Sequence, residues 1–281
     1  MQNVKQLSPS TDLDLVFLHG WGMNSAIFND FIRSLQAHLM AEDYSGITVR
    51  ALDLPGYGEL ASMNNATDEN AENDRVKRSQ AKLINDALCI ESQLKSNTIL
   101  IGWSLGGLLA QQIALMQSYK VKGLICLCSS PKFASDHNWN GIELDVLLSF
   151  QQQLVNDPVR TLKRFLAIQN LGQSRAKANI QMMLNSLASK TMASAETLKN
   201  GLGLLENIDL RDQIANINVP TLRIYGRLDS LIPYASSAQI ADLQPLAKHI
   251  VYEKASHAPF ISHPQNLIAD ILDFLKNAKK D

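Results

Sequence analysis

The segment Gly102-Trp103-Ser104-Leu105-Gly106 has the composition and setting of a nucleophile turn. It lies between a short β-branched run, Thr98-Ile99-Leu100-Ile101, and a run with helical spacing from Leu105 to Met116. Strand, sharp turn and helix are therefore expected in that order, with Ser104 at the turn. A serine held there sits in strained backbone with its hydroxyl exposed, and the flanking glycines leave room that a Cβ would fill. G-x-S-x-G alone is a weak signal in a chain of this length. The strand before it and the helix after it favour a nucleophile over an ordinary N-cap serine.

A serine hydroxyl becomes a useful nucleophile only beside a base, and an imidazole base needs a carboxylate to fix its tautomer. Asp229 follows the strand signal Thr221 to Tyr225, in Tyr-Gly-Arg-Leu-Asp-Ser-Leu-Ile-Pro. His257 follows the next strand signal, in Lys-Ala-Ser-His-Ala-Pro-Phe. Loop aspartates usually cap turns and most histidines are not catalytic, yet both residues fall where open α/β sheets hold ligands, at the carboxyl ends of strands. His263 is a weaker rival, because it directly precedes Pro264 and reads as a helix start. The oxyanion of an acyl-transfer intermediate needs amide donors. Leu105, next after the serine, supplies one; Trp21, in Phe17-Leu18-His19-Gly20-Trp21-Gly22, is chosen for the other. His19 is expected to fix that loop rather than act as a second base.

These residues need a scaffold that brings strand ends together. Leu13 to Leu18, Ile47 to Leu52, Thr98 to Ile101, Val121 to Leu127, Pro220 to Tyr225 and His249 to Tyr252 read as strands, separated by helical patterns. One such helix, Ser79 to Leu94, is expected to turn Leu83, Ile84, Ala87, Leu88 and Leu94 inward. The alternation predicts an α/β fold, a mainly parallel sheet with helices on both faces. From about Lys132 to Leu205 the strand signal disappears and four helical patterns follow in succession, starting at Leu144, Pro158, Ser174 and Ala195. Residues 1–131 and 206–281 are thus read as the core and 132–205 as an inserted helical cap.

Composition narrows the function classes. The 281 residues are 46% hydrophobic and 19% charged, enough for one large domain or a domain with an insertion. With 26 basic and 27 acidic residues the net charge is −1, which gives no overall field for nucleic acid or an anionic membrane. No apolar run approaches the roughly 18 residues that span a bilayer, and Met1 to Asp14 is polar rather than leader-like, so a cytoplasmic location is expected. Cys89, Cys126 and Cys128 suggest neither a disulfide framework nor a zinc site, and no metal or organic cofactor is expected. The Asn-, Asp- and Glu-rich stretch Glu59 to Arg78 reads as a solvated excursion. Val155 to Asn200 holds seven basic residues against two acidic ones, so a local positive face toward an acidic partner is expected.

The motifs Leu18-His19-Gly20-Trp21-Gly22, Asp53-Leu54-Pro55-Gly56-Tyr57-Gly58, Gly102 to Leu108, Ser129-Ser130-Pro131 and Ser256 to Pro264 resemble those of the pimeloyl-[acyl-carrier protein] methyl ester esterases of biotin synthesis, an α/β-hydrolase family. The hydrolase motifs alone mark only the superfamily. More specific are the cap segments Phe150-Gln151-Gln152-Gln153-Leu154, Arg160-Thr161 and Arg164 to Gln169. The resemblance implies that Phe165, Leu166, Ala167, Ile168 and Gln169, with Trp21, Ser104, Leu105 and His257, line an acyl channel. It also implies that Arg160, Arg164 and Lys177 dock an acidic acyl carrier protein; a fourth basic position falls on Gln181, where the charge is lost. A monomer is expected. The alternatives are a broad short-chain carboxylesterase, a lyase or carbon–carbon hydrolase on the same fold, and a receptor that keeps the triad without turnover.

Overall fold

The computed structural model describes residues 12–44, 46–63 and 74–277. Most of the polar N-terminal stretch and the centre of the Glu59 to Arg78 excursion lie outside these residues. Six parallel strands form one sheet in the order β2-β1-β3-β4-β5-β6. They are β1 (Leu13–Leu18), β2 (Ile47–Leu52), β3 (Thr98–Trp103), β4 (Val121–Leu127), β5 (Thr221–Gly226) and β6 (Lys248–Tyr252). The central strands β1, β3 and β5 are buried along their whole length, as expected where helices cover both faces.

Strand order dictates where the helices go. The chain steps outward from β1 to β2 through α1 (Asn29–Ala41), then returns past β1 to β3 through α2 (Arg75–Ser92). Right-handed crossovers in opposite directions put α1 and α2 on opposite faces. The helix α3 (Leu105–Leu115) packs with α2 on one side, and the C-terminal helix packs with α1 on the other. The reversal between β1 and β3 opens a crevice at their carboxyl ends, and ligands of open α/β sheets bind in such crevices. The loop carrying Trp21 leaves β1 there, and Ser104 leaves β3.

Between β4 and β5 the chain forms α4 (Leu144–Asn156), α5 (Pro158–Gln169), α6 (Ala176–Ala188) and α7 (Ala195–Asn207). The base of this excursion is tied where Lys132 bridges Asp209; an ion network of Lys132, Asp136, Asp209 and Arg211 joins the two segments of the chain that meet there. After β5 come α8 (Tyr234–Leu243), a single turn α9 (Pro259–Ser262) and α10 (Pro264–Asn277).

On α2 the buried face differs from the expected one. Leu83 and Ala87 are buried, but Ile84 and Leu88 are about half exposed. The inward positions are instead shared with Lys82 and Asp86, whose ion pair of 2.7 Å is buried where α2 meets α7 and α3. Paired charges at i and i+4 satisfy each other there, and rotate the apolar edge of the helix away from the purely hydrophobic solution.

Candidate active site

Ser104 has φ 54° and ψ −119°, backbone that a non-glycine residue adopts at a cost of about 1–3 kcal/mol. The surroundings fix this conformation. Ser104 N–H donates to the Leu127 carbonyl at 3.0 Å, and the Ser104 carbonyl accepts the Ser129 hydroxyl at 2.8 Å. A Cβ on Gly102 would lie 2.4 Å from the Gly106 carbonyl oxygen, and one on Gly106 would lie 2.3 Å from that of Leu18. Both glycines are therefore required by backbone approach, since no rotamer change relieves a clash with main chain.

His257 is fully buried, and its Nδ1 lies 2.8 Å from Asp229 Oδ2. The other carboxylate oxygen accepts the Leu231 and Ile232 amides at 2.8 and 3.0 Å. An ionised carboxylate only accepts, so Nδ1 carries the proton and Nε2 is left as the acceptor nitrogen. His257 Nε2 is buried and has no hydrogen-bond partner among the described residues. The histidine segment is tied to the serine turn: Trp103, immediately before Ser104, donates its indole N–H to the His257 carbonyl at 2.7 Å. His263 lies apart from this pair, with its Nδ1 2.8 Å from the Ser262 hydroxyl and its ring 5.9 Å from that of Tyr252.

Neither the Trp21 nor the Leu105 amide donates to a described residue, so both N–H groups stay free at the crevice. The Trp21 loop is pinned from below. His19 Nδ1 donates to the Gly20 carbonyl, while Nε2 accepts the Leu54 amide at 3.0 Å. Burial lowers the His19 pKa to about 4, from an ordinary value near 6.5. Protonation then favours the unfolded chain, so this contribution to stability is complete above about pH 6.5 and is lost as pH falls toward 4, by on the order of 3 kcal/mol. His19→Gln is expected to flatten the pH dependence of the denaturation midpoint across this window. An unchanged slope would remove His19 as its source.

Asp53 stands beside His19. Burial raises its pKa, but the Glu59 and Ser25 amides and the Lys190 ammonium outweigh that and hold it below the usual carboxylate range. Lys190, at 2.9 Å from Asp53 and 2.7 Å from Glu59, is thus engaged with the core. The positive charge counted over Val155 to Asn200 is consequently not one surface. Arg160, Lys163 and Arg164 are exposed on α5, Lys177 is exposed on α6, and Lys199 lies on α7. Arg164 donates to Gln153 and rests over the Phe150 ring.

The cap reaches the site through Trp21, whose indole N–H donates to the Leu198 carbonyl and whose ring meets Phe165 edge-on at 4.7 Å. Phe165, Leu166 and Gln169 are buried, Ile168 is partly buried, and Ala167 is exposed on the outer face of α5. Five successive helical residues cannot all face one channel, because each is turned by 100° from the last. The Gln169 carbonyl accepts the Ser256 hydroxyl and the His257 amide, while both polar atoms of its own side chain are buried with no partner among the described residues. One neighbour was not legible in the sequence: Cys128, at the end of β4, places its sulfur within 4.8 Å of ligand atoms of Asp229 and His257. Burial pushes its thiol well up.

A family model described as alpha/beta hydrolase fold matches residues 15–264. The pimeloyl-[acyl-carrier protein] methyl ester esterase of Pseudoalteromonas atlantica is 38% identical over 92% of this chain and 93% of its own length. The protein of the same name from Aeromonas hydrophila is 40% identical, over 93% and 95%. Among solved structures, an esterase from Exiguobacterium antarcticum superposes with a TM-score of 0.75 at 21% identity, covering 95% of this chain and 93% of that one. An enol-lactonase from Burkholderia xenovorans gives 0.71 at 15%, covering 95% and 92%, so this architecture is shared by enzymes of different substrate. The chain belongs to the α/β-hydrolase fold family and, within it, to the family of the pimeloyl-[acyl-carrier protein] methyl ester esterases.

Proposed function

We propose that this protein hydrolyses the methyl ester of a pimeloyl chain held on acyl carrier protein, giving methanol and the free terminal carboxylate, a step of biotin synthesis. The substrate is the one named by its relatives. The observation that carries the chemistry is the buried His257–Asp229 pair, tied through Trp103 to the strained turn at Ser104 and presenting an unpaired Nε2.

In this reading Ser104 Oγ attacks the ester carbonyl while His257 Nε2 takes its proton. The tetrahedral oxyanion receives the free amides of Leu105 and Trp21. Collapse breaks the bond to methoxide, which leaves as methanol with the proton from His257. Water then attacks the acyl-enzyme with His257 again as base, restoring Ser104 and releasing the carboxylate. These steps need no metal or organic cofactor. Methyl is the small end of the ester, so the long apolar arm lies under the cap against Trp21, Phe165 and Leu166, and the unpaired Gln169 amide meets a polar atom of the chain. The enzyme works in the cytoplasm as a monomer.

Arg160 and Arg164 stand exposed on α5 and outside the reacting groups, which suits attraction of an acidic carrier. Arg160→Glu with Arg164→Glu is expected to lower kcat/KM for the carrier-bound ester relative to a free short methyl ester by about tenfold or more, an effect that shrinks as salt screens it. Equal losses on both substrates, or wild-type carrier-ester hydrolysis without salt dependence, would remove these arginines as the docking site. A wild type with no preference for the carrier-bound ester would instead identify a generalist esterase.

A further inference from the structure

A second basic feature lies on the opposite side of α4 from Arg164. Gln153, the partner of Arg164, and Gln151 are about 200° apart around that helix. On the Gln151 side, Arg75, Arg78 and Lys82 of α2 and Lys199 of α7 line a groove of about 230 Å³ whose one carboxylate among the described residues is Glu206. Lys82 is neutralised by Asp86, and Glu206 accepts the Gln151 amide at 2.6 Å. Arg75, Arg78 and Lys199 form no ion pair with a described residue.

Helix stabilisation does not explain these cations. Arg75 and Arg78 lie in the first turn of α2, where the helix end is itself partially positive and a basic side chain is disfavoured. The capping Asp74 is engaged by the Val76 and Lys77 amides and by the Lys77 ammonium at 3.5 Å. Among the described residues, positive charge is therefore concentrated in a concavity with net charge to spare, a field that selects an anion. Two guanidinium groups suit the forked oxygens of a phosphate better than a single carboxylate does. The volume is below the range of about 300–1,000 Å³ for whole small molecules, and fits a headgroup rather than an acyl chain. The groove shares Lys82 with a small recess lined by Leu54, Pro55, Asp86, Leu105 and Leu204. That recess, rather than the groove itself, touches Leu105, the residue whose amide is assigned to the oxyanion.

We propose that this groove binds a phosphate-type oxyanion and that, during turnover, the anion is a phosphodiester in the arm that tethers the acyl chain to its carrier. The second part rests on the reading of the substrate as carrier-bound. Two sources of the same chemistry, free phosphate and the substrate's arm, are separated by measuring both. The test compares wild type with Arg75→Ala/Arg78→Ala/Lys199→Ala. Calorimetry with inorganic phosphate, against chloride at equal ionic strength, is paired with kinetics on the carrier-bound methyl ester.

Wild type is expected to bind phosphate and to be inhibited by it competitively against the carrier-bound ester. The triple variant should lose both effects and show a KM raised by about tenfold or more. Phosphate binding that is equal in the two proteins would overturn the anion site. Binding lost in the variant with an unchanged KM would overturn the assignment to the substrate arm. Calorimetry needs no turnover, so a wild type that fails to prefer the carrier-bound ester defeats the esterase reading separately. Lys199→Glu, at an exposed position, gives the same comparison should the triple variant fold poorly.

Discussion

Ser104→Ala is expected to reduce kcat by about 10⁶-fold, leaving the residual rate that oxyanion donors and binding alone provide. The loss is large because the hydroxyl is the attacking atom in the proposed mechanism and alanine has no group to replace it. Folding should be preserved, since alanine keeps the Cβ and the turn is held through the Ser104 main chain by the Leu127 carbonyl and the Ser129 hydroxyl. Ser104→Gly separates strain from chemistry. Glycine adopts φ 54° and ψ −119° freely, so this variant should be equally inactive yet about 1 kcal/mol more stable than Ser104→Ala. Purified Ser104→Ala with near wild-type hydrolysis, or an acyl group trapped on another residue, would refute the nucleophile.

Much of this site can be read from the sequence, because its residues follow strands whose signals are strong. β1, β3 and β5 are buried on both faces and so appear as uninterrupted apolar runs, and Ser104 and Asp229 come one and three residues after β3 and β5. The parts that resist such reading are those where a polar group points inward. Hydropathy assigns Lys82 and Asp86 to the surface, although their mutual pairing lets both be buried, and Ile84 and Leu88 are displaced outward as a result. A charge count over the cap includes Lys190, which turns to Asp53 and Glu59. Arg223 is likewise fully buried in β5, held by Gln111 and Gln244 through 2.9 and 2.8 Å hydrogen bonds from other elements. The Lys190 and Arg223 contacts depend on partners distant in sequence, and the i, i+4 pair Lys82–Asp86 is buried only because other helices pack over it, neither of which periodicity encodes.

Asp229→Asn is expected to lower kcat by about 10⁴-fold, the magnitude known for the corresponding change in the serine-protease triad, while KM changes little. The geometry says why an isosteric change should cost so much. Oδ1 of Asp229 accepts two backbone amides, from Leu231 and Ile232. In asparagine the carbonyl oxygen must remain there, because an NH₂ facing two N–H donors would leave all of them unsatisfied. The amide NH₂ is then turned toward His257 Nδ1, now 2.8 Å from a donor instead of an acceptor. The ring responds by moving its proton to Nε2, and Nε2 can no longer accept the proton of Ser104. Side-chain shape and packing are nearly unaltered, and the Leu231 and Ile232 amides keep an acceptor, so the variant should fold and bind as wild type does. The nitrogen chemical shifts of His257 would report the exchanged tautomer directly. A fall in kcat of only a few-fold, with the tautomer unchanged, would mean that a carboxylate other than Asp229 supports the base.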